Sequence, residues 1–260
     1  MERIKKNWLD FSVYCGDNVN LYNGDCLDVM DLMIEDNTKV DMILCDLPYG
    51  TTQNKWDSVL PLNLIWEQYK RIIKDNGVIL LFGAEPFSSV LRTSNLNEYK
   101  YDWIWEKPQG TGFLNAKKRP LISYETISVF YKKQCLYNPQ FENGKPYVFN
   151  HNTESSSEQT YGKYVTTKRE SNGKRYPKSV LRFNNKNPEN QGLHKTQKPV
   201  ELMEYLIKTY TNEGDTVLDN CMGSGTTGVA CKKTGRHFIG IEKDEKYFEI
   251  AVGRVSAYCA

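Results

Sequence analysis

The feature that most constrains this chain of 260 residues is an alternation of short apolar runs with amphipathic segments. VDMILCD (40–46) and NGVILLFG (76–83) have the length and composition of buried strands, and LNLIWEQYKRII (62–73) between them has helical periodicity. After a long polar stretch, a helical stripe (200–210) and two further apolar runs follow (215–219 and 237–242). Strand–helix–strand order favours parallel pairing. The sequence therefore predicts an α/β fold, a mostly parallel sheet with helices on both faces.

The polar stretch, residues 134–191, interrupts this pattern with many Asn, Tyr, Ser and Lys residues. We interpret it as an insert that divides one domain into the segments 12–133 and 192–260. Residues 106–200 hold 17 Lys and Arg against 7 Asp and Glu, a net charge of +10, whereas the other 165 residues sum to −8. A basic middle on an acidic body predicts a polyanion such as nucleic acid as the partner of the middle. A solvated charged insertion is the alternative.

Several classes of protein are disfavoured by composition. No apolar run reaches the 18 residues of a membrane span, and the N-terminus lacks the apolar core of a secretion signal. The seven Cys residues form no C-x-x-C pair, which disfavours a zinc site or a disulfide framework. We therefore expect a protein of the cytoplasm with no membrane contact and no metal.

A glycine loop follows the run that ends at Asp219. Gly223, Gly225 and Gly228 form a G-x-G-x-x-G pattern between a strand and a helix, which is weak by itself but indicates a nucleotide-type cofactor. A carboxylate beside the loop repels a pyrophosphate and suits an ammonium or a sulfonium, so it favours S-adenosylmethionine (SAM) over NAD. Glu242 ends the next strand and can accept two ribose hydroxyls, which fits either cofactor.

The segment HKTQKP (194–199) leads into the helix that is predicted from Val200. Pro199 suits the first turn of a helix, and Thr196 could cap nearby. A helix N-terminus together with Lys198 would bind a carboxylate, such as that on the methionine end of SAM. The alternative is ordinary capping beside a surface Lys.

The tetrapeptide Asp46-Leu47-Pro48-Tyr49 places an acid directly at the end of an apolar strand. Sites in parallel sheets lie at the carboxyl ends of strands. The Asp46 carboxylate and the Leu47 carbonyl could accept the two N–H bonds of a nucleobase amine, while Pro48 stiffens the turn and Tyr49 stacks on the base. That arrangement suits a base rotated out of its duplex. Cys45 is interpreted as a core residue.

Together these motifs resemble the permuted beta group of DNA amino-methyltransferases. Their acid-Pro-Pro-Tyr motif is similar to residues 46–49, their SAM loop D-P-F-x-G-S-G-T to residues 219–226, and their T-Q-K-P element to residues 196–199. The order of the motifs, with a variable recognition region between the first and the last two, also matches. The resemblance implies a Rossmann-like, seven-stranded SAM-dependent methyltransferase fold in circularly permuted order, with the insert as the target-recognition region.

The resemblance also assigns residues. Asp25 and Cys26 would lie beside the SAM adenine, while Leu47, Asn220 and Cys221 depart from the usual Pro, Pro and Phe of the family motifs. An Asp at the first catalytic position is similar to the adenine-N6 members, whereas cytosine-N4 members more often have Ser. The implied cofactor-binding residues are Asp25, Cys26, Thr196, Gln197, Lys198, Asp219, Cys221, Gly223, Gly225, Thr226 and Glu242, and the implied DNA-binding residues are Lys117, Lys118, Arg119, Lys168, Arg169, Lys174 and Arg175.

The predicted function is methyl transfer from SAM to adenine N6 in double-stranded DNA after base flipping. Cytosine N4 is the nearest alternative, followed by an amine on RNA or a protein glutamine, and by a DNA-binding protein that has lost catalysis. An NAD-dependent oxidoreductase is disfavoured by Asp219. The resemblance leaves open a homodimer and a cognate restriction endonuclease as partners, neither of which the sequence shows. It also implies a bacterial cell, or a phage, as the source.

Overall fold

The structure, a computed structural model, describes residues 7, 10–50, 59–149, 169–184 and 197–258. The chain divides into two compact units, of which the smaller is residues 139–178 and the larger is the remainder. The helices of the described residues all belong to the larger unit. They are α1 (Cys26–Glu35), α2 (Leu62–Ile72), α3 (Phe87–Ser94), α4 (Val200–Tyr210), α5 (Thr226–Lys233) and α6 (Glu245–Ser256).

One sheet, with nine strands in the described residues, forms the centre of the larger unit. Its strands are β1 (Ser12–Gly16), β2 (Val19–Asn23), β3 (Val40–Cys45), β4 (Ile73–Gly83), β5 (Tyr99–Thr111), β6 (Ile122–Phe130), β11 (Val180–Arg182), β12 (Thr216–Asp219) and β13 (His237–Glu242). Their order across the sheet is β1-β2-β13-β12-β3-β4-β6-β5-β11. Five of the eight strand pairs are parallel, and the β1–β2, β4–β6 and β6–β5 pairs are antiparallel.

The sheet buries both of its faces, because side chains along a strand alternate between them. Met42 and Leu44 of β3 belong to the apolar cluster that includes α4, α5 and α6, whereas Ile43 and Cys45 belong to the cluster that includes α1, α2 and α3. The helices therefore cover the two faces in groups of three. This arrangement confirms the predicted α/β fold with a mostly parallel sheet.

Two side-chain caps explain where helices begin. The Asp25 carboxylate accepts from the backbone N–H of Leu27 at 3.0 Å, at the start of α1, and the Asp244 carboxylate accepts from that of Tyr247 at 3.1 Å, at the start of α6. Each acid is the second residue after the end of a strand, Asp25 after β2 and Asp244 after β13, so the turn from strand to helix is short on the edge where these strands end.

The smaller unit contains two short antiparallel pairs, one of β7 (Glu142–Asn143) with β10 (Lys174–Arg175) and one of β8 (Tyr147–Phe149) with β9 (Arg169–Ser171). It lies within the predicted insert, residues 134–191. β11 also lies within that range, and it pairs with β5 in the main sheet. In the part of the chain that the structure describes, the sheet has nine strands rather than the expected seven, since β1 and β11 extend its two edges.

None of the helices in the described ranges is long and apolar enough to cross a membrane.

Candidate active site

The predicted catalytic tetrapeptide begins immediately after β3. Leu47 is buried in the core, which anchors the turn, while Asp46, Pro48 and Tyr49 are half-buried. The Tyr49 hydroxyl donates to Asp46 Oδ1 at 2.5 Å. The Tyr49 ring stacks on Phe87, with 5.1 Å between ring centroids, and the Lys198 ammonium lies 5.9 Å from the Tyr49 centroid. The structure thus brings the acid and the ring together at the carboxyl end of a strand.

A buried lysine completes this cluster from the other half of the chain. The Lys198 ammonium donates to Asp46 Oδ2 at 2.7 Å and to Glu125 Oε2 at 2.8 Å, and it is only 6% exposed. The ammonium of Lys107 forms an ion pair with the second oxygen of Glu125. Two carboxylates and two ammonium groups therefore balance one another at this site, which satisfies the requirement that buried charges be paired.

Lys198 was predicted to contact the carboxylate of SAM. In the structure it contacts two carboxylates of the protein, Asp46 and Glu125. The contact with SAM stays a prediction, and the two protein partners were not predicted. Glu125 and Lys107 were not predicted, and the available signal for Glu125 was that it is the lone charged residue of the strand YETISVF.

Burial and ion pairing act in opposite directions on these groups. Burial raises the pKa of Asp46 above its ordinary value, and the Lys198 ammonium opposes that rise. Burial would also raise the pKa of Glu125, but Lys198 and Lys107 lower it below the ordinary value. Burial would lower the pKa of Lys198, yet the two carboxylates raise it, so Lys198 keeps its charge at neutral pH. Burial, followed by the Asp46 charge, raises the pKa of Tyr49 and keeps its hydroxyl a donor.

The glycine loop lies beside this cluster, because β12 pairs in parallel with β3. Gly223 and Gly225 have φ angles of +53° and +78°, in the left-handed region that favours glycine. A Cβ atom on Gly225 would lie 2.9 Å from that of Ala251 in α6, whereas one on Gly223 would meet nothing within 4 Å. The loop is therefore held against α6 on one side and has open space on the other.

Asp219 lies beneath this loop and holds it. Its Oδ1 accepts from the backbone N–H of Cys221 at 3.1 Å, and its Oδ2 accepts from the Thr227 hydroxyl at 2.5 Å. Burial raises the pKa of Asp219 to about 7, against the effect of these two hydrogen bonds. The predicted contact of Asp219 with a cofactor cation would have to share oxygens that already bind the loop.

Glu242, at the end of β13, also contacts the loop. It accepts from the backbone N–H groups of Gly223 and Asp244, each at 2.8 Å, and burial raises its pKa. The backbone N–H of Gly24 donates to the Glu242 carbonyl at 2.9 Å, which brings Asp25 beside this strand end. Besides capping α1, Asp25 forms an ion pair with Lys243 at 3.2 Å. Cys26 follows as the first residue of α1 and is buried.

Gln197 joins the two halves of the site. Its side-chain oxygen accepts from the hydroxyl of Ser224 in the glycine loop, at 3.4 Å, while the next residue, Lys198, contacts Asp46. Arg254 of α6 supports the same loop residue, donating to the Ser224 carbonyl at 2.6 Å. Thr226 is the first residue of α5 and is buried. Sequence analysis missed Arg254, since a single Arg on a helix carries no specific signal.

The predicted DNA-binding residues fall into separate regions. Lys117, Lys118 and Arg119 are exposed in the connection between β5 and β6. In the smaller unit Lys174 is exposed. The guanidinium of Arg175 donates to the Lys145 carbonyl at 2.6 Å and lies 4.9 Å from the Tyr147 ring centroid. Arg175 therefore mainly stabilises that unit. Arg169 is in β9, and Lys168 and Thr196 lie outside the described residues.

Comparison with known proteins identifies the family. The model of the N6/N4 family, described as DNA methylase, matches residues 40–253. This chain belongs to that family of DNA methylases. The resemblance inferred from the motifs is thereby confirmed. This DNA methylase is also 26% identical to the Type II methyltransferase M2.MboI of Moraxella bovis over 265 residues, which cover 91% of this chain and 87% of that relative.

Solved structures share the fold of this DNA methylase. The crystal structure of the M1.HpyAVI–SAM complex has a TM-score of 0.64 at 25% identity, covering 91% of this chain and 98% of that one. The PvuII DNA methyltransferase, which is cytosine-N4-specific, has a TM-score of 0.65 at 16% identity, covering 93% of this chain and 87% of that one. A cytosine-specific enzyme thus has the same fold, so the fold alone does not separate the two target bases.

Proposed function

We propose that this DNA methylase transfers a methyl group from SAM to the N6 amine of adenine, after the adenine has rotated out of the DNA duplex. The observation that carries the proposal is the Asp46 carboxylate beside the glycine loop, with one segment, Gln197-Lys198, in contact with both. Methyl transfer needs an acceptor amine and a methyl donor at one point, and these residues offer adjoining places for the two.

The residues around the glycine loop fit SAM, which supplies an electrophilic methyl group when it is bound. Open space beside Gly223 leaves room for a ligand at the loop. Glu242 and Asp25 offer carboxylate oxygens suited to hydroxyl and amine donors. The relative M1.HpyAVI was crystallised with SAM, which supports the same cofactor here.

Asp46 is assigned to bind and polarise the target amine. Its two oxygens accept from Tyr49 and Lys198, but a carboxylate has about four lone-pair sites, so it can accept one amine N–H as well. The Leu47 carbonyl is assigned to the second N–H. Two acceptors on an amine draw its lone pair out of conjugation with the ring, which makes the nitrogen a better nucleophile. The amine loses one proton when the N–C bond forms, and we assign Asp46 to receive it.

Adenine is favoured over cytosine by the acid at position 46. Within the family that the motifs resemble, an Asp at this place is similar to the adenine-N6 members. The opposite face of the Tyr49 ring from Phe87 is assigned to stack on the flipped base.

Double-stranded DNA is the proposed partner, and the exposed cations of the β5–β6 connection are assigned to its phosphates. M2.MboI is a Type II methyltransferase, which supports a role in restriction–modification with a cognate endonuclease. A homodimer is also proposed on the strength of the family resemblance.

The test is a transfer assay with isotope-labelled SAM on unmethylated bacterial DNA, followed by digestion to nucleosides and mass spectrometry. Label in N6-methyladenine is the expected result, and label in N4-methylcytosine would refute the assignment of the base. The Asp46→Ala variant should lose transfer while SAM still binds in calorimetry, because Asp46 faces the amine and the loop is intact. Comparable turnover in that variant would refute the role of Asp46.

A further inference from the structure

The connection between β5 and β6 carries an unusual pair of apolar side chains. Phe113 and Leu114 are 76% and 84% exposed, the two highest values among large hydrophobic residues in the part of the chain that is described. They lie in a short 3-10 turn, Phe113–Asn115, at the tip of the hairpin. Leaving two neighbouring apolar side chains in water has a free-energy cost, so such a pair marks a contact surface.

The backbone beneath these side chains is well held. The N–H of Asn115 donates to the Gly112 carbonyl at 2.9 Å, and that of Ala116 donates to the Phe113 carbonyl at 3.0 Å. Gly112 has a φ of +87°, which lets the chain turn sharply before the pair. The tip is therefore a formed turn that presents its side chains outward.

Charge identifies the kind of partner. Residues 107–120 contain four cations, Lys107, Lys117, Lys118 and Arg119, and no acid. Lys107 is committed to Glu125, and the other three are exposed directly after the apolar pair. An apolar tip followed by exposed cations complements a polyanion whose interior is apolar, and the DNA duplex, with phosphates outside and stacked bases inside, has that structure.

The tip is also close to the site along its own hairpin. Thr111 pairs with Ile122, and Glu125, which contacts Lys198, is three residues further along β6. Three residues of strand span about 10 Å, so the connection that carries Phe113 and Leu114 begins and ends about 10 Å from Glu125. We therefore place the tip against the duplex that flanks a target base at Asp46.

We propose that Phe113 and Leu114 insert into the base stack and occupy the gap that the flipped adenine leaves. This inference rests on the proposed function, since it requires a base to leave the duplex. Flipping costs unpairing and unstacking energy, and an apolar wedge that contacts the exposed faces of the neighbouring bases offsets part of it. The three cations after the pair hold the flanking phosphates.

The experiment compares single-turnover methyl transfer on two duplex oligonucleotides that carry a methylation site mapped on bacterial DNA. One is fully paired, and the other has a mismatch opposite the target base, which lowers the cost of flipping. The Phe113→Ala/Leu114→Ala variant should slow transfer to the paired duplex about 10- to 100-fold, in line with the loss of base stacking on side chains. The mismatched duplex should show a much smaller loss.

Matched variants separate this role from general effects. Leu96→Ala removes another exposed apolar side chain, 65% exposed and outside the hairpin, and should leave both rates unchanged. Phe113→Tyr keeps the ring and should retain most of the activity. The melting temperature and the affinity for SAM should match the wild type for all variants, because Phe113, Leu114 and Leu96 are all exposed.

The outcomes are distinct. Equal losses on the two duplexes, or no loss on either, would overturn the wedge while leaving the methyltransferase assignment intact. A change in oligomeric state by light scattering, with transfer unchanged, would also overturn it and assign the pair to a contact between copies of the chain. If the wild-type protein transfers no label to any DNA, the proposed function fails and the wedge fails with it.

Discussion

Replacing Lys198 by Met tests whether the buried ammonium sets the charge of Asp46, the proposed catalytic residue. Lys198 contacts Asp46 at 2.7 Å and Glu125 at 2.8 Å, and Met has a similar volume without a charge. The change leaves two buried carboxylates close together with one cation fewer. Removing one partner of a buried ion pair costs about 3–5 kcal/mol, a large share of the about 5–15 kcal/mol that stabilises a typical domain.

The same change should alter the pH dependence of catalysis. Burial and the Glu125 charge raise the pKa of Asp46, and Lys198 opposes them. Without Lys198 the pKa of Asp46 rises further, so a higher pH is needed to ionise it. The acid limb of the kcat profile should therefore move to higher pH. Adding Glu125→Gln removes the like charge and should move the limb part of the way back.

Two assays measure these effects. Urea unfolding gives the loss of stability, and methyl-transfer rates at saturating SAM and DNA across a pH series give the acid limb. Lys208→Met is the matched control, because its ion pair with Glu204 at 3.4 Å is exposed and is worth less than about 0.5 kcal/mol. An acid limb at the same pH in wild type and Lys198→Met would refute the electrostatic role of Lys198, even if the variant were less stable.

Two further predictions concern the glycine loop. The pKa of Asp219 is about 7 in the folded protein and near 4 in the unfolded chain, so the folded state binds the proton more tightly. The protein therefore loses up to about 4 kcal/mol of stability as the pH rises from 4 to 7. Unfolding measured at pH 5 and pH 8 should show that Asp219→Asn lacks this loss, and the same pH dependence in wild type and variant would contradict the assignment. Gly225→Ala forces a Cβ onto a left-handed residue, 2.9 Å from Ala251, and should weaken SAM binding about 10-fold in calorimetry, at a cost of about 1–2 kcal/mol. Gly253→Ala, with open space around its Cβ in α6, is the control and should bind SAM normally.

Local patterns were sufficient to predict the elements that build the sheet. The run at 40–46 became β3 and the stripe at 200–210 became α4, because apolar periodicity is a property of adjacent residues. The fold of the smaller unit was not predictable in this way. Its strands are two or three residues long, which is too short for a period to be seen, and its apolar side chains such as Tyr147 and Tyr176 remain exposed.

The partners of charged residues were harder to predict than the residues themselves. Asp46, Lys198 and Asp219 were singled out from their motifs, and the structure brings them to one edge of the sheet. Glu125 was missed because its contact with Lys198 joins positions 73 residues apart. A pattern along the chain reports which face a residue occupies, whereas a pairing across the sheet depends on strand order and register.

Register also explains how two strand-end acids of the same type have different surroundings. β3 and β12 are parallel neighbours with Leu218 opposite Ile43, so Asp219 lies opposite Leu44, and Asp46 is two residues further along. Two residues of strand correspond to about 7 Å, which places Asp46 beyond the sheet edge and leaves Asp219 within it. Asp219 is accordingly 3% exposed and binds the loop, whereas the Asp46 side chain is 27% exposed and is held by Tyr49 and Lys198. The depth of each acid in the sheet, more than its residue type, therefore distinguishes Asp219, which supports the loop, from Asp46, for which we propose the chemical role.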